Sequence, residues 1–351
     1  MLSNSSEAFG CRCLCVWFIL RVSRPGGREG LKCVYYIVES FNRKNSLPVG
    51  LKTVIIFKMA RACAFYFGTY GHSGELKMIF DFELVGKIGS MALIRKEDRD
   101  IDYNIFSRLG AQLRPGYIWV SSGAAEIGRL DFIKRAGYEL DEDDDARKTD
   151  YAAQGQVILM ENYRRFIPQQ YGVRQLLVEH QHFNDPQKRE YILGLLKRAA
   201  MQGAVPIVNY NDAVSAKENR NYELAGLKKH GGHVVECVDN DETASVIADI
   251  AKARLLVILT TTEGIYSDPE DKATLIKEIS GANINETLEA VKEAQKHCVG
   301  ASRAGANGAW AKLEYITQPL ENGTQVIIGN ARYKLSQLIE GSVPRTWIGV
   351  R

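Results

Sequence analysis

Residues 205–214, V-P-I-V-N-Y-N-D-A-V, join an apolar, β-branched run to a cluster of Asn and Asp side chains. A second cluster, V-D-N-D-E-T-A-S at 238–245, opens a run of small helix-forming residues. Open α/β sheets bind ligands at the carboxyl ends of their strands, where Asn and Asp offer amide donors and carboxylates. The two clusters therefore predict a ligand site at strand ends of an α/β sheet.

Apolar runs alternate with helix-like segments from about residue 78 onward. The strand candidates are 79–85, 117–120, 174–178, 205–209, 233–237, 255–260 and 325–328, and the helix candidates are 101–113, 148–170, 187–202, 241–253, 285–297 and 308–320. This alternation favours βαβ units, and continuous apolar strands are typical of a mostly parallel sheet covered on both faces. The acidic run D-E-D-D-D at 141–145 is typical of a solvated loop before a helix.

The composition is that of an ordinary globular chain. It has 351 residues, of which 45% are hydrophobic and 25% charged, which favours one large domain or two medium ones. The 45 basic residues nearly balance the 42 acidic ones, for a formal charge of +3, so we expect no nucleic-acid partner. No run of 18 apolar residues occurs, so we expect no membrane-spanning helix and no membrane partner.

Two glycine turns suit anions. V-G-K-I-G-S at 85–90 places Lys87 before Gly89 and Ser90, a point charge beside backbone that a phosphate can approach. The alternative is a surface Lys beside a turn, and the pattern is not a Walker-type loop. W-V-S-S-G-A-A-E-I-G at 119–128 presents N–H groups at a helix N-terminus, which suits a carboxylate or phosphate. The alternative there is an ordinary Ser N-cap.

The order of these motifs resembles that of the glutamate 5-kinases, within the amino acid kinase family. Three further segments add to the resemblance: Y-A-A-Q-G-Q-V-I-L-M-E-N-Y (151–163), L-T-T-T-E-G-I-Y-S-D-P (259–269) and G-A-N-G-A-W-A-K-L (305–313). The resemblance covers nearly all of 78–351. It implies a three-layer αβα sandwich with a mostly parallel central sheet.

The resemblance also implies a role for each matching residue. The catalytic set comprises Lys87, Lys312 and Asp241, with Asp241 orienting the two lysines around the transferring phosphoryl group. The substrate set comprises Ser122, Gly123, Ala124, Asn209, Asp212 and Asn240. The nucleotide set comprises Gly89, Ser90, Thr260, Thr261, Gly264, Tyr266, Gly305, Ala306, Asn307 and Gly308. Metal ligands are not assigned.

The implied reaction is phosphorylation of the glutamate side-chain carboxylate by ATP, the first step toward proline, and the resemblance implies a cytoplasmic location. A glutamate side chain in water has a pKa of about 4.3, so it is already an ionised nucleophile at neutral pH and no general base is required. Catalysis should then depend on positioning and charge neutralisation. Mg²⁺ should accompany ATP because it screens the phosphates.

Three departures from the family pattern leave alternatives open. Thr261 stands where the family usually has Asp, Ala306-Asn307 replaces a Thr-Gly pair, and Val238 replaces a Gly. The first two concern ATP binding. One alternative is a sister kinase acting on another small carboxylate, on carbamate or on UMP. The other is a catalytically degenerate binding or storage protein on the same fold.

Residues 1–77 differ from the rest of the chain. They are rich in Cys, Arg, Gly and aromatic residues and lack a sustained period, although T-V-I-I-F at 53–57 is strand-like. The kinases that the chain resembles begin near Met78, so we expect 1–77 to be a poorly ordered extension or a non-native start. A targeting peptide is the alternative. We expect 78–351 to be the kinase domain, without the C-terminal RNA-modification-type domain of many relatives, and to form a homo-oligomer.

Overall fold

The computed structural model describes residues 80–95, 97–215, 217–229, 234–237, 239–298 and 308–351, and the backbone of 13–23 and 29–39. The chain forms two compact units, 1–65 and 66–351. In the first, β1 (Cys13–Ser23) and β2 (Glu29–Glu39) pair as an antiparallel hairpin, with Cys13 opposite Glu39. The strand predicted at 53–57 lies outside the described residues.

The second unit alternates strands and helices. Its strands are β3 (Phe82–Ile88), β4 (Tyr117–Ser121), β5 (Gly172–Val178), β6 (Ala204–Tyr210), β7 (Ala253–Thr260), β8 (Ile265–Tyr266), β9 (Leu275–Ile276), β10 (Glu278–Gly281), β11 (Gln325–Asn330) and β12 (Arg345–Val350). Its α-helices are Tyr103–Gly110, Ala124–Ala136, Asp144–Phe166, His180–Asn184, Pro186–Met201, Lys217–Lys229, Asn240–Ile250, Ile284–Gln295, Gly308–Tyr315, Thr317–Glu321 and Leu335–Glu340. No helix in the described part of the chain is long and apolar enough to cross a membrane.

The central sheet has eight strands in the order β10-β12-β11-β7-β3-β4-β6-β5. The six strands from β11 to β5 are parallel, whereas β12 runs antiparallel to β11. From β3 the chain builds β4 to one side of it and β7 to the other, so the order of winding reverses there. Ligands of open α/β sheets bind at the carboxyl ends of strands flanking such a reversal.

Helices cover both faces of this sheet. One core cluster joins sheet residues such as Val85 and Leu256 to the helices Pro186–Met201, Asn240–Ile250 and Ile284–Gln295. The other joins Leu84 and Trp119 to the helices Tyr103–Gly110, Ala124–Ala136 and Asp144–Phe166. Side chains of one strand alternate between the clusters, as the strand period of two requires. The predicted α/β fold with a mostly parallel sheet between two helical layers is confirmed.

Polar side chains begin many of the helices. Asp102, Asp143, Asp185, Asp239 and Asn283 each accept a hydrogen bond from a backbone N–H of the following first turn. Such caps satisfy N–H groups that have no partner within the helix. The acidic run at 141–145, predicted to be a loop, thus contributes a cap and the first residues of a helix.

The strand predicted at 233–237 is wrong for 234–237, which the structure describes as irregular. Val235 exchanges hydrogen bonds with the Asn184 side chain, and the Glu236 N–H donates to Glu242 Oε1. These backbone groups are therefore paired with side chains instead of a neighbouring strand. Cys237 adopts φ 48°, which also ends any extended run.

Two glycines let the helices Ala124–Ala136 and Asp144–Phe166 cross at close range. A β carbon at Gly128 would lie 1.8 Å from the Tyr151 carbonyl oxygen, and one at Gly155 would lie 1.9 Å from the Ala124 carbonyl oxygen. No side chain fits in either place. This crossing holds the middle of the second helix, including Gln156, against the turn that precedes the first.

Candidate active site

Three charged side chains meet beside β3, the strand at which the order of winding reverses. Lys87 lies near the end of β3, Asp241 in the first turn of Asn240–Ile250, and Lys312 in Gly308–Tyr315. Asp241 bridges the lysines, with Oδ1 2.6 Å from Lys87 Nζ and Oδ2 2.9 Å from Lys312 Nζ. The side chains of Lys87, Asp241 and Lys312 are 8%, 6% and 18% exposed. Two cations share one anion, so the group carries a net positive charge.

The environment of Asp241 keeps it ionised. Burial alone raises the pKa of this carboxyl, but the attraction of Lys87 and Lys312 outweighs it and lowers the pKa to about 2. Asp239 behaves oppositely, because burial and the nearby Asp241 charge raise its pKa. Asp239 caps the helix by accepting from the N–H groups of Asp241 and Glu242. The cap therefore fixes the turn that carries the bridging carboxylate.

Gly89 lies directly after β3, beside this charged group. Its φ of −76° is open to any residue, and a β carbon there would lie 3.7 Å from Lys87 Nζ. Its N–H donates to the Leu259 carbonyl oxygen at 3.2 Å, so that amide is committed to the sheet. The Ser122 N–H likewise donates to the Ile88 carbonyl oxygen at 3.0 Å. Neither of these two amides is therefore free to donate to an anion, and the binding of a phosphate by Lys87 stays a prediction.

A second group of polar side chains adjoins the first. Asn240 precedes Asp241 in the chain, and its Nδ2 donates to Ser122 Oγ at 3.1 Å and to Asn209 Oδ1 at 3.0 Å. Asn209 Nδ2 donates in turn to Gln156 Oε1 at 2.8 Å. We call Ser122, Gln156, Asn209 and Asn240 the amide cluster. It joins the ends of β4 and β6 to the helix that carries Asp241.

Gly123 and Ala124 complete the turn after β4. Gly123 has φ 107°, a conformation that favours glycine, and begins the helix Ala124–Ala136. A β carbon there would lie 3.1 Å from Leu93 Cδ1 and 3.7 Å from Ser90 Cα, so the turn packs against Ser90. The predicted phosphate turn and substrate turn are thus neighbours.

Asp212 pairs elsewhere. It lies in the turn after β6 and forms an ion pair with Lys148 at 2.8 Å, with side-chain exposures of 21% for Asp212 and 56% for Lys148. The structure therefore shows the Asp212 carboxylate paired with a cation of the protein itself.

The predicted nucleotide residues are only partly described. Thr260 and Thr261 follow β7, and the Thr260 hydroxyl accepts from the Thr262 N–H at 2.9 Å. Gly264 is buried, and a β carbon there would lie 2.4 Å from Thr346 Oγ1; packing alone thus accounts for glycine at this position. Tyr266 lies in β8, and Gly308 begins the helix that carries Lys312. Gly305, Ala306 and Asn307 lie outside the described residues.

A carboxylate does occur in the loop after β7, although Thr261 lacks one. Glu263 forms an ion pair with Arg332 at 2.7 Å and accepts from Asn330 Nδ2 at 3.3 Å. The Thr261 carbonyl oxygen accepts from the same Asn330 side chain at 2.9 Å. Asn330 thus ties this loop to the end of β11.

Sequence reasoning missed Gln156 and Lys148. Both lie in or beside the segment 151–163, which was matched to a family helix without a role for any residue. The neighbouring Gly155, a glycine inside a helix, indicated a packing constraint there, but nothing in the sequence connected Gln156 with Asn209. Lys148 carried no signal in the sequence.

Comparisons with known proteins add a family assignment to this description. A model of the amino acid kinase family matches residues 83–330. The chain belongs to this family. It is 28% identical over 274 residues to a glutamate 5-kinase of Alkaliphilus metalliredigens, a match that covers 75% of this chain and 94% of the relative. A glutamate 5-kinase of Streptococcus uberis is 29% identical over 279 residues, with 75% and 93% covered.

A solved structure is similar as well. The UMP kinase of Ureaplasma parvum superposes with a TM-score of 0.41 at 11% identity, over 76% of this chain and 99% of that one.

Proposed function

We propose that the chain transfers a phosphoryl group from ATP to the side-chain carboxylate of L-glutamate. The observation that carries the proposal is the buried Lys87–Asp241–Lys312 group next to the amide cluster. Transfer of a phosphoryl group from ATP to a carboxylate brings two anions together, so it requires positive charge at the point of transfer. It also requires hydrogen-bonding side chains next to that charge to hold the small polar acceptor. The relatives that bear the name glutamate 5-kinase support this acceptor, and with it a role in proline synthesis.

The residues of the site would neutralise charge rather than move protons. The side-chain carboxylate of glutamate, whose pKa in water is about 4.3, is ionised at neutral pH and attacks without a base. Lys87 and Lys312 would stabilise the charge that spreads over the phosphoryl oxygens. Asp241 would hold the two ammonium groups at a fixed separation, so that no reorganisation is needed in the transition state. Mg²⁺ bound with ATP would screen the remaining phosphate charge.

The amide cluster would bind the amino acid. Its side chains offer amide and hydroxyl groups at the ends of β4 and β6, and Asn240 connects them to Asp241. Asp212 would supply a carboxylate for the substrate ammonium once that ammonium displaces Lys148. The acceptor would then lie beside the phosphoryl-binding lysines.

Substitution of either lysine tests the catalytic assignment. Lys87→Ala or Lys312→Ala should lower kcat by about 10²-fold or more, because each removes charge stabilisation that matters most in the transition state. KM should move less, and the double substitution should be less than additive because both lysines act on one charge. Lys229→Ala, at an exposed position of Lys217–Lys229, is the control. Near-normal turnover in either site variant contradicts the assignment.

An acceptor panel tests the substrate. ATP consumption with Mg²⁺ is measured with glutamate, aspartate and UMP in parallel, and we expect glutamate to be preferred. Preference for another acceptor would favour a sister kinase of the same family. Absence of turnover with every acceptor would favour a binding or storage protein, for which the altered residue Thr261 gives a reason.

A further inference from the structure

The amide cluster contains a relay of three side-chain amides. It runs from Gln156, in the middle of Asp144–Phe166, through Asn209 at the end of β6, to Asn240 in the first turn of Asn240–Ile250. Asn209 is only 2% exposed, so water has little access to its amide. Hydrogen bonds in such surroundings are stronger than at the surface, and an unpaired group costs more.

A backbone amide sets the direction of this relay. The Tyr210 N–H donates to Asn209 Oδ1 at 2.9 Å, and a backbone N–H can only donate. Asn209 must therefore turn its Nδ2 toward Gln156, which meets it with Oε1. Asn240 must in turn donate its Nδ2 to Asn209 Oδ1. The orientation of each amide follows from its partners, which is the only reliable basis for assigning it.

This order of donors and acceptors leaves the side-chain oxygen of Asn240 without a donor among the described residues. Its Nδ2 is used by Asn209 and Ser122, whereas its Oδ1 is buried and accepts no hydrogen bond from the described residues. A buried acceptor without a donor is costly. The ammonium of an α-amino acid is a donor only, and Asp241, which holds the phosphoryl-binding lysines, is the next residue in the chain.

We infer that Gln156 is a positioning residue that selects acceptors carrying an α-ammonium group. Gln156 and the Tyr210 N–H hold the two ends of the Asn209 amide, and Asn209 holds Asn240 so that its oxygen meets the ammonium. This inference rests on the proposed phosphorylation of glutamate. It adds a residue to the site that touches neither nucleotide nor reacting atoms and acts through Asn209.

The test compares glutamate with glutarate, the same dicarboxylate without the ammonium group. Binding of each to the full chain is measured by calorimetry, and KM and kcat are measured for turnover with ATP and Mg²⁺. In Gln156→Met the preference for glutamate over glutarate should fall about tenfold, the size of one lost buried hydrogen bond. The loss should appear as a higher KM for glutamate more than as a lower kcat, because the contact with the ammonium forms on binding as well as in the transition state.

Two variants separate positioning from folding. Gln156→Glu keeps an oxygen that accepts from Asn209 Nδ2 and should retain the preference that Gln156→Met loses. Gln170→Met, at an exposed position, is the matched control. A general loss of structure would weaken glutamate and glutarate binding together and leave their ratio unchanged.

The outcomes separate this inference from the proposed function. An unchanged ratio in Gln156→Met, or equal behaviour of the Met and Glu variants, overturns the role of Gln156 and leaves glutamate phosphorylation standing. Glutamate binding without turnover in the unmutated chain overturns the kinase proposal, and the calorimetric ratio still decides the role of Gln156. If the unmutated chain binds glutamate no better than glutarate, ammonium selection is wrong.

Discussion

Gly86 and Gly89, in and directly after β3, have different surroundings, so we expect substitution of the first to affect stability and of the second to affect turnover. A β carbon at Gly86 would lie 1.9 Å from the Trp119 ring, whereas at Gly89 the nearest atom is Lys87 Nζ at 3.7 Å. Gly86→Ala should destabilise the protein by about 1–3 kcal/mol through overpacking. Gly89→Ala should leave the melting temperature unchanged but impair turnover, since its methyl group would fill space beside Lys87 that we propose a phosphate enters. Thermal unfolding and kinetics of both variants check this; a Gly89→Ala protein with full activity would show that no phosphate approaches there.

At the same scale, the charged residues of the site were more predictable than their supports. Lys87, Asp241 and Lys312 were assigned to one group from the order of motifs, and the structure brings them within ion-pair distance. Their roles stay predictions. Gln156 was missed because its contact with Asn209 depends on how closely two helices cross, which no local pattern encodes.

Among the helices, the crossing at Gly155 should be less tolerant of change than any helix surface. A β carbon at Gly155 would lie 1.9 Å from the Ala124 carbonyl oxygen, so Gly155→Ala must push the helices apart or fail to fold stably. Gly226 lies in the helix Lys217–Lys229 with nothing within 4 Å of such a carbon. Gly226→Ala should therefore be neutral or stabilise by up to about 1 kcal/mol through helix propensity. Urea unfolding of the two variants checks the contrast, and equal stabilities would contradict the close crossing.

The elements themselves were predicted unevenly from the sequence. Long apolar runs such as those of β4, β6 and β7 were placed close to their observed bounds, because strands buried on both faces have a strong signature. The short strand β10 and the terminal strand β12 were missed. They pair at the edge of the sheet, where fewer residues are fully buried and the pattern is weaker. The strand prediction at 234–237 was wrong because backbone groups there form hydrogen bonds with side chains instead of with a neighbouring strand.

For the whole molecule, the largest open prediction concerns where the kinase domain begins. In the part of the chain whose side chains are described, the two core clusters extend from Phe82 to Ile348. The charged group and the amide cluster lie within the same span. We therefore expect a shortened chain that starts at Met78 to keep the melting temperature and the glutamate kinetics of the full chain.

A second shortened chain makes this test discriminating. Starting after Ile88 removes β3, a strand between β7 and β4 in the middle of the sheet that also carries Lys87, and this chain should not fold. Both are compared with the full chain by thermal unfolding and by turnover with ATP and glutamate. If the chain that starts at Met78 melts several °C lower than the full chain, residues 1–77 contribute to stability. A difference of about 1 kcal/mol in the free energy of unfolding lowers the melting temperature by roughly 2–4 °C in a large domain. If the chain that starts at Met78 keeps its stability but changes its kinetics, residues 1–77 influence the site itself. Either result would contradict the expectation that the kinase domain works without residues 1–77.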